Sequence, residues 1–304
     1  MTLFSPNEIL VLDGATGTEL DRLGVDLSMP LWSARAMDEA PDKLKHVHRL
    51  YLDAGAGAII TNTFRTHERS LAKAGFGAES RRLTRSAVSI AREAIQESPS
   101  SALLLGSVAP LEDCYSPELS PDFDTSHEEH GRLMSDLVAG GVDCILIETM
   151  CTAHESLAAA KAAAEVSPGR WGISFCLDSD AGPGVLQDGG KLADLLPELM
   201  EASFIGINCV SATSMGSQIR HLRSCLPETM PIMAYGNVGY ADEEGGWVST
   251  DAIEPQRYAR YAMEWIESGA NIVGGCCGTT PATIAAIREA LDDQVADVPK
   301  SWLQ

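Results

Sequence analysis

The chain has no long apolar segment and little positive charge. None of its apolar runs approaches the ~18 residues of a membrane-spanning helix, and no basic region followed by an apolar stretch begins at Met1. We therefore expect neither a membrane span nor a signal peptide. Its 22 Lys and Arg residues face 43 Asp and Glu residues, which gives a net charge of −21. This acidity argues against nucleic acid or an anionic membrane as a partner, and we expect a cytoplasmic protein.

Motifs that bind nucleotide phosphates or build disulfide frameworks are also missing. No G-x-G-x-x-G follows the first predicted strand, and no Gly-Lys-Ser/Thr follows the first turn. The eight cysteines show no C-x-x-C spacing. In a reducing compartment such cysteines are core residues or metal ligands. We interpret five scattered ones as core or incidental: Cys114, Cys144, Cys151, Cys176 and Cys225.

Short apolar runs alternate with helical stretches along the whole chain. The predicted strands are Ile9–Leu12, Ala58–Thr61, Leu103–Gly106, Cys144–Ile147, Trp171–Cys176, Phe204–Ile207, Ile232–Ala234 and Ile272–Val273. The clearest predicted helices are Pro41–Ala54, His127–Gly140, His154–Val166, Leu192–Glu201, Gln256–Ser268 and Pro281–Leu291. Fully apolar strands are typical of parallel sheets covered on both faces. Eight such units predict a single-domain (β/α)8 TIM barrel over residues 1–304, with an open doubly wound sheet as the alternative.

Three cysteines come directly after two of the predicted strands. Cys209 follows the sixth strand, and the adjacent pair Cys276 and Cys277 follows the eighth. Barrel chemistry gathers at this end of the strands, and three thiolates without a fourth protein ligand describe a catalytic zinc with an open position. The flanking glycines permit the irregular backbone that adjacent ligands need: Gly274, Gly275 and Gly278. A vicinal redox pair and inert buried cysteines are the alternatives.

Carboxylates follow two further strands. Asp13 comes after the first strand and Glu148 after the fourth, where a charge is seldom present for packing. An ammonium group of a substrate is the economical partner for either side chain. A plain strand–turn–helix junction, for Asp13, and an acid stabilised by a helix dipole, for Glu148, are the alternative explanations.

Polar groups near the first two strand ends could also contact a substrate. Thr16 and Glu19 have the spacing of a capping box, which predicts a helix that starts here. The exposed backbone N–H groups would then bind a carboxylate. Asn62, in Thr61–Phe64, could hydrogen-bond a substrate, although turn chemistry explains it nearly as well.

Taken in order, these motifs resemble the homocysteine S-methyltransferase family. The matching stretches span nearly the whole chain: residues 12–20 (LDGATGTEL), 61–64 (TNTF), 147–149 (IET), 206–209 (GINC) and 274–281 (GGCCGTTP). The last two stretches together are very specific, whereas the aspartate-led turn alone is not.

The resemblance implies a methyltransferase that converts homocysteine to methionine within a (β/α)8 barrel. It implies that Zn²⁺ is held by three cysteines, with the homocysteine sulfur as fourth ligand: Cys209, Cys276 and Cys277. It implies that Asp13 and Glu148 hold the ammonium group of homocysteine, and that its carboxylate is held by backbone groups near three residues: Gly14, Ala15 and Thr16. The homocysteine thiol is largely protonated near neutral pH, so zinc would serve to stabilise the thiolate.

The methyl donor is less closely defined. Residues 30–34 (PLWSA) resemble the branch that uses S-methylmethionine or S-adenosylmethionine, and the face of Trp32 suits a sulfonium cation. Thr149 stands where the betaine-using branch has tyrosine, so we expect a sulfonium donor. Betaine or another onium donor, another thiol acceptor, and a noncatalytic zinc-binding or redox barrel are the alternatives. In the loop 236–253 the resemblance is loose, and the sequence does not give the oligomeric state.

Overall fold

A computed structural model describes residues 3–241 and 246–296 of the chain. The strands are β1 (Leu10–Val11), β2 (Ala58–Ile60), β3 (Leu103–Val108), β4 (Cys144–Met150), β5 (Trp171–Phe175), β6 (Ile205–Ser211), β7 (Ile232–Asn237), β8 (Gly239–Ala241), β9 (Trp247–Ser249) and β10 (Ile272–Gly275). Eight of them, β1 to β7 and β10, form one parallel sheet.

This sheet closes into a barrel. Around the sheet the order runs β1, β10, β7, β6, β5, β4, β3, β2. A parallel bridge between Leu12 and Ala58 joins the two end strands, and the Asp13 N–H donates to the Ala58 carbonyl at 3.0 Å. The expected (β/α)8 barrel is therefore confirmed, and the open sheet is not formed. Because the barrel strands are parallel, the residues that follow their carboxyl ends all lie at one face of the barrel.

Helices cover the outside of the barrel. They are α1 (Thr16–Arg22), α2 (Ala36–Glu39), α3 (Pro41–Asp53), α4 (Glu68–Ala72), α5 (Ser80–Gln96), α6 (Phe123–Gly140), α7 (Ala153–Val166), α8 (Leu192–Leu195), α9 (Ala212–Cys225), α10 (Pro255–Glu267) and α11 (Pro281–Ala296). Short 3₁₀ turns lie at Trp32–Arg35, Gly77–Glu79, Pro117–Leu119, Leu196–Leu199 and Asp251–Ile253. Within the two described ranges, no helix is both long and apolar enough to span a membrane.

Two helix predictions need correction. The predicted helix Leu192–Glu201 is α8 followed by a 3₁₀ turn, because Pro197 lacks an N–H and its ring crowds the preceding turn. The predicted capping box is wrong as well. Thr16 is the first residue of α1 rather than its cap, and no side chain caps this helix. Glu19 instead forms an ion pair with Arg22 at 3.2 Å.

The loop 236–253 contains an antiparallel hairpin formed by β8 and β9. Trp247 pairs with Ala241, and Tyr240 pairs with Val248. Residues 242–245 of this loop lie outside the described part of the chain, as do the ends of the predicted domain at residues 1–2 and 297–304.

Candidate metal centre and substrate site

Three cysteine sulfurs converge at the carboxyl end of the barrel. The Sγ atoms of Cys209, Cys276 and Cys277 lie within 4.8 Å of one another, and all three side chains are half-buried and free of disulfides. Zn–S bonds of about 2.3 Å in a tetrahedral site place two ligand sulfurs ~3.8 Å apart. The donor set and its spacing therefore fit a thiolate-bound metal with one further position.

The backbone at Cys209 is irregular. The sequence places this residue after the strand, but β6 continues to Ser211, and its pairing with β7 shifts register between Asn208 and Ser211. Cys209 has φ of 57°, a left-handed conformation that is uncommon outside glycine. This bulge turns the Cys209 side chain out of the regular alternation of the strand. Glu148 lies in a similar place, since β4 continues to Met150 past a positive φ at Thr149.

Asn237 joins the two halves of the cysteine cluster. Its Nδ2 donates to the Cys209 carbonyl at 2.9 Å, and its Oδ1 accepts from the Cys277 N–H at 3.1 Å. The side chain is buried at the end of β7, between the two cysteine-bearing strands. Its amide thus holds the backbone of two candidate ligands.

The environment of Cys209 favours its thiolate form. Hydrogen bonds from the thiols of Cys176, Cys276 and Cys277 lower the pKa of Cys209 well below its usual value, against the opposing effect of burial. The same contacts raise the pKa of Cys276. Cys176, at the end of β5, also donates to the Cys209 carbonyl at 3.8 Å. No spacing in the sequence connects Cys176 with the cluster, so this contact could not be predicted.

Glu148 is a buried carboxylate beside this cluster. It accepts hydrogen bonds from the Ser107 hydroxyl and, at 3.2 Å, from the Tyr235 hydroxyl. Burial raises the pKa of Glu148 to about 7, although both hydrogen bonds oppose the rise. No cation pairs with it among the residues that the structure describes.

Asp13 is a second buried carboxylate and is only 1% exposed. Its Oδ2 accepts from the Ile60 N–H at 2.9 Å, whereas Oδ1 has no hydrogen-bond partner within residues 3–241 and 246–296. Burial raises the pKa of Asp13 well above its usual value, and the neighbouring charge of Glu148 adds to the rise. A buried carboxylate with an unpaired oxygen and a second carboxylate nearby is a suitable partner for a cation.

The turn after Asp13 is only partly available to a ligand. The Ala15 N–H already donates to the Thr279 hydroxyl at 3.1 Å, so a carboxylate bound by Ala15 would have to replace this bond. Gly14 fits tightly, because a Cβ there would lie 2.8 Å from Thr279 Oγ1 and 2.9 Å from Tyr51. Gly14 and Thr16 have backbone N–H groups at the start of a helix, where intrahelical acceptors are lacking.

Asn62 and Trp32 lie close together, on the segments that follow β2 and β1. Asn62 Nδ2 donates to the Ser33 carbonyl at 2.7 Å and thereby secures the segment that carries Trp32. The Trp32 ring packs edge-on against Phe64, with 5.7 Å between ring centroids. The indole also covers Gly17, where a Cβ would approach it to 2.6 Å. Part of each side chain is therefore used in packing.

Tyr115 and Arg65 also lie at this end of the barrel, although neither was predicted as a site residue. The Tyr115 hydroxyl lies 3.6 Å from Cys209 Sγ. The Arg65 guanidinium stacks over Phe64 at 5.4 Å from the ring centroid and, within the described residues, makes no ion pair. Tyr115 lies in a long irregular loop, and Arg65 lies in no recognisable pattern, so neither gave a signal in the sequence.

Comparisons with known proteins agree with this arrangement. A family model described as homocysteine S-methyltransferase matches residues 10–291. A homocysteine S-methyltransferase of Escherichia coli K12 is 32% identical over 306 residues, which cover 94% of this chain and 96% of that protein. The homocysteine S-methyltransferase YbgG of Bacillus subtilis 168 is 33% identical, with 92% of this chain and 93% of that protein covered.

A solved structure is similar over the same extent. The metallated form of the homocysteine methyltransferase MmuM from Escherichia coli superposes with a TM-score of 0.79 at 30% identity, covering 93% of this chain and 96% of that one. Together with the barrel, the cysteine cluster and the family match over residues 10–291, this similarity shows that the chain belongs to the homocysteine S-methyltransferase family.

Proposed function

We propose that the protein transfers a methyl group from a sulfonium donor to the thiol of homocysteine and forms methionine, with Zn²⁺ held by three cysteines. Its family supports methyl transfer to homocysteine. The observation that carries the proposal is the convergence of three cysteine sulfurs within 4.8 Å beside two buried carboxylates. We place this activity in a reducing, cytoplasmic compartment, since the site needs free thiolates.

The proposed metal ligands are Cys209, Cys276 and Cys277. Soft thiolate donors favour zinc over hard cations such as magnesium or calcium. When bound, Zn²⁺ would supply the positive charge that keeps a thiol sulfur deprotonated near neutral pH. The metallated structure of the Escherichia coli relative supports a metal in this family. Asn237 contributes by holding the Cys209 carbonyl and the Cys277 N–H in place.

The acceptor's ammonium group is assigned to Asp13 and Glu148. Each carboxylate is buried, and one oxygen of Asp13 has no partner within the described ranges. A bound ammonium would restore the charge balance that burial disturbs and would supply hydrogen-bond donors. The backbone near Gly14, Ala15 and Thr16 remains our proposal for the acceptor's carboxylate, and the Ala15 N–H would exchange its bond to the Thr279 hydroxyl for one to that carboxylate.

The donor is assigned to the side of the site formed by Trp32 and Phe64. Aromatic faces attract onium cations, and the nearby Arg65 guanidinium can pair with a donor carboxylate. Asn62 would act by holding the Trp32 segment, through its bond to Ser33. S-methylmethionine and S-adenosylmethionine carry both a sulfonium and a carboxylate. In the transfer, the donor S–CH₃ bond breaks with its electron pair going to the donor sulfur, and a new S–CH₃ bond forms at the acceptor sulfur.

Parallel donor assays test this assignment. Zinc-quantified protein is incubated with homocysteine and, separately, with S-methylmethionine, S-adenosylmethionine or betaine, and methionine is measured. We expect methionine with a sulfonium donor. Exclusive activity with betaine would overturn the donor assignment. A zinc-loaded protein that is inactive with all three would favour another substrate pair or a noncatalytic barrel.

A further inference from the structure

Tyr115 bridges the opening of the barrel. It lies after β3, yet its hydroxyl reaches the Sγ of Cys209 on β6 at 3.6 Å. The strands β4 and β5 separate β3 from β6 in the sheet. The loop after β3 therefore brings Tyr115 past the ends of β4 and β5 to the cysteine at the end of β6. Glu148, the proposed partner of the acceptor's ammonium, lies at the end of β4.

The loop that carries Tyr115 is fastened at both sides. The buried carboxylate of Glu155, in the first turn of α7, accepts from the Leu111 N–H at 2.8 Å and from the Ser120 hydroxyl. The His130 ring holds the same carboxylate at 3.0 Å. At the tip, the Tyr115 N–H donates to Asp113 Oδ1 at 3.0 Å. These contacts set the position of the tip relative to the strand ends.

Nevertheless, the Tyr115 ring is not packed into the core, since the residue is 53% exposed. Neither of the ring stacking contacts near the site, Trp32 with Phe64 and Arg65 with Phe64, involves it. A large aromatic face that is held over a sulfur cluster and left open to solvent is suited to contact a ligand there. Because the cluster attracts cations, a ligand with an onium centre is the class that fits both features.

We propose that Tyr115 is a donor-binding residue, and that its ring forms a wall against which the onium centre of the methyl donor packs above the cysteine cluster. This assignment rests on the proposed function. It adds a second aromatic face to the one at Trp32 and places it on the loop after β3. The hydroxyl contact with Cys209 then belongs to the donor-free state, in which the side chain rests on the cluster.

Variants at Tyr115 separate the ring from the hydroxyl. In zinc-loaded full-length protein, Tyr115→Ala removes the ring, and Tyr115→Phe keeps it. We expect Tyr115→Ala to weaken S-methylmethionine and S-adenosylmethionine, measured as Kd by calorimetry and as donor KM, by roughly 3- to 30-fold, the range of a cation–π contact. The homocysteine KM and the zinc content should stay at the wild-type values. Tyr115→Phe, which keeps the ring, should bind the donor as the wild-type protein does.

Leu119→Ala is the matched control, because Leu119 lies in the same loop and is 54% exposed, compared with 53% for Tyr115. It should leave the donor KM unchanged. Three results would each overturn the proposal. Donor binding could be unchanged in Tyr115→Ala, it could be lost equally in Tyr115→Phe and Tyr115→Ala, or it could be lost equally in Leu119→Ala.

Donor binding and methyl transfer are measured separately, so failure of the Tyr115 proposal can be distinguished from failure of the proposed function. If the wild-type protein binds a sulfonium in a Tyr115-dependent way but transfers no methyl group, the proposed function is wrong and the binding site stands. If methyl transfer occurs and Tyr115→Ala changes nothing, the role of Tyr115 is wrong and the proposed function stands. If the wild-type protein neither binds nor uses a sulfonium, both proposals are wrong.

Discussion

Cys209 differs from the other cysteines of the cluster by its backbone and its charge. It has a left-handed φ of 57°, and thiol hydrogen bonds from Cys176 and the Cys276–Cys277 pair lower its pKa. A thiolate is the form of cysteine that binds metal, so a lowered pKa favours metal binding at Cys209.

Replacing this residue should remove metal and activity together. We expect Cys209→Ser to lose bound zinc and methyl transfer in the same preparation, as measured by elemental analysis and methionine formation. Cys225→Ser is the control, because Cys225 is exposed at the end of α9 and outside the cluster. Normal turnover in zinc-free Cys209→Ser protein would contradict the metal assignment.

Glu148 gives a prediction for pH. Because burial raises its pKa to about 7, the carboxyl of the free protein is largely neutral below that pH and charged above it. An ammonium group prefers the charged form, so the homocysteine KM should fall as the pH rises through about 7. In Glu148→Gln this part of the pH profile should be absent, and the KM should be raised about 10-fold or more with zinc retained. Identical profiles for both proteins would refute the role.

The raised pKa of Glu148 also affects the stability of the fold. Substrate binding prefers the charged carboxyl, whereas folding prefers the neutral one. The folded protein keeps the Glu148 proton up to about pH 7, whereas an unfolded glutamate releases it near its usual pKa of about 4.3. Folding therefore takes up a proton between these values. The free energy of unfolding contributed by the neutral carboxyl is lost as the pH rises through this window. Urea titrations at several pH values measure this free energy. We expect it to fall with rising pH in the metal-free protein and to fall less in metal-free Glu148→Gln.

At the scale of elements, the strand ends carry the site, and their details could not be predicted. Apolar runs located all eight barrel strands, because strands covered on both faces leave a plain compositional pattern. The bulges at Thr149 and Cys209 left no such pattern, since their left-handed backbones occur at ordinary residues. The capping box failed for a related reason: Thr16 and Glu19 have the right spacing, but the helix begins at Thr16 itself, one residue too early for Thr16 to cap it.

Asn237 is the positioning residue of β7, and its removal should loosen the cluster. We expect Asn237→Ala to lower zinc affinity about 10- to 100-fold, the usual range for groups that orient metal ligands. Competition with a zinc chelator measures this change. Asn271→Ala is the control, because Asn271 bonds Pro6 and Ile232 at the opposite end of the barrel. It should lower the melting temperature and leave zinc affinity unchanged; equal zinc affinities in both variants would contradict the role of Asn237.

At the scale of the whole molecule, the fold and the cysteine cluster were predictable, whereas contacts across the barrel mouth were not. Cys209 and the Cys276–Cys277 pair follow strands whose ends must meet once the barrel closes. The approach of Tyr115 to Cys209 depends on the path of an irregular loop fastened by Glu155. Loop paths depend on such individual long-range hydrogen bonds, which leave no periodic pattern in the sequence.

The metal should matter for activity far more than for folding. The barrel has an extensive apolar core away from the cysteines, so zinc removal should leave the circular dichroism spectrum unchanged at 25 °C. The melting temperature should fall, since free zinc at a thousandfold excess over its Kd stabilises a folded protein by about 4 kcal/mol. Unfolding of the chelated protein at 25 °C would instead indicate a structural metal.

The most direct measurement is methyl transfer as a function of bound zinc. Chelated protein is titrated with Zn²⁺ in the presence of homocysteine and S-methylmethionine, and both methionine formation and bound metal are followed. We expect activity to be absent in the chelated protein, to rise in proportion to bound zinc and to stop rising at one zinc per chain. Full activity without zinc would contradict the proposed zinc-dependent transfer, as would one bound zinc per chain without methyl transfer from S-methylmethionine or, in a parallel titration, from S-adenosylmethionine.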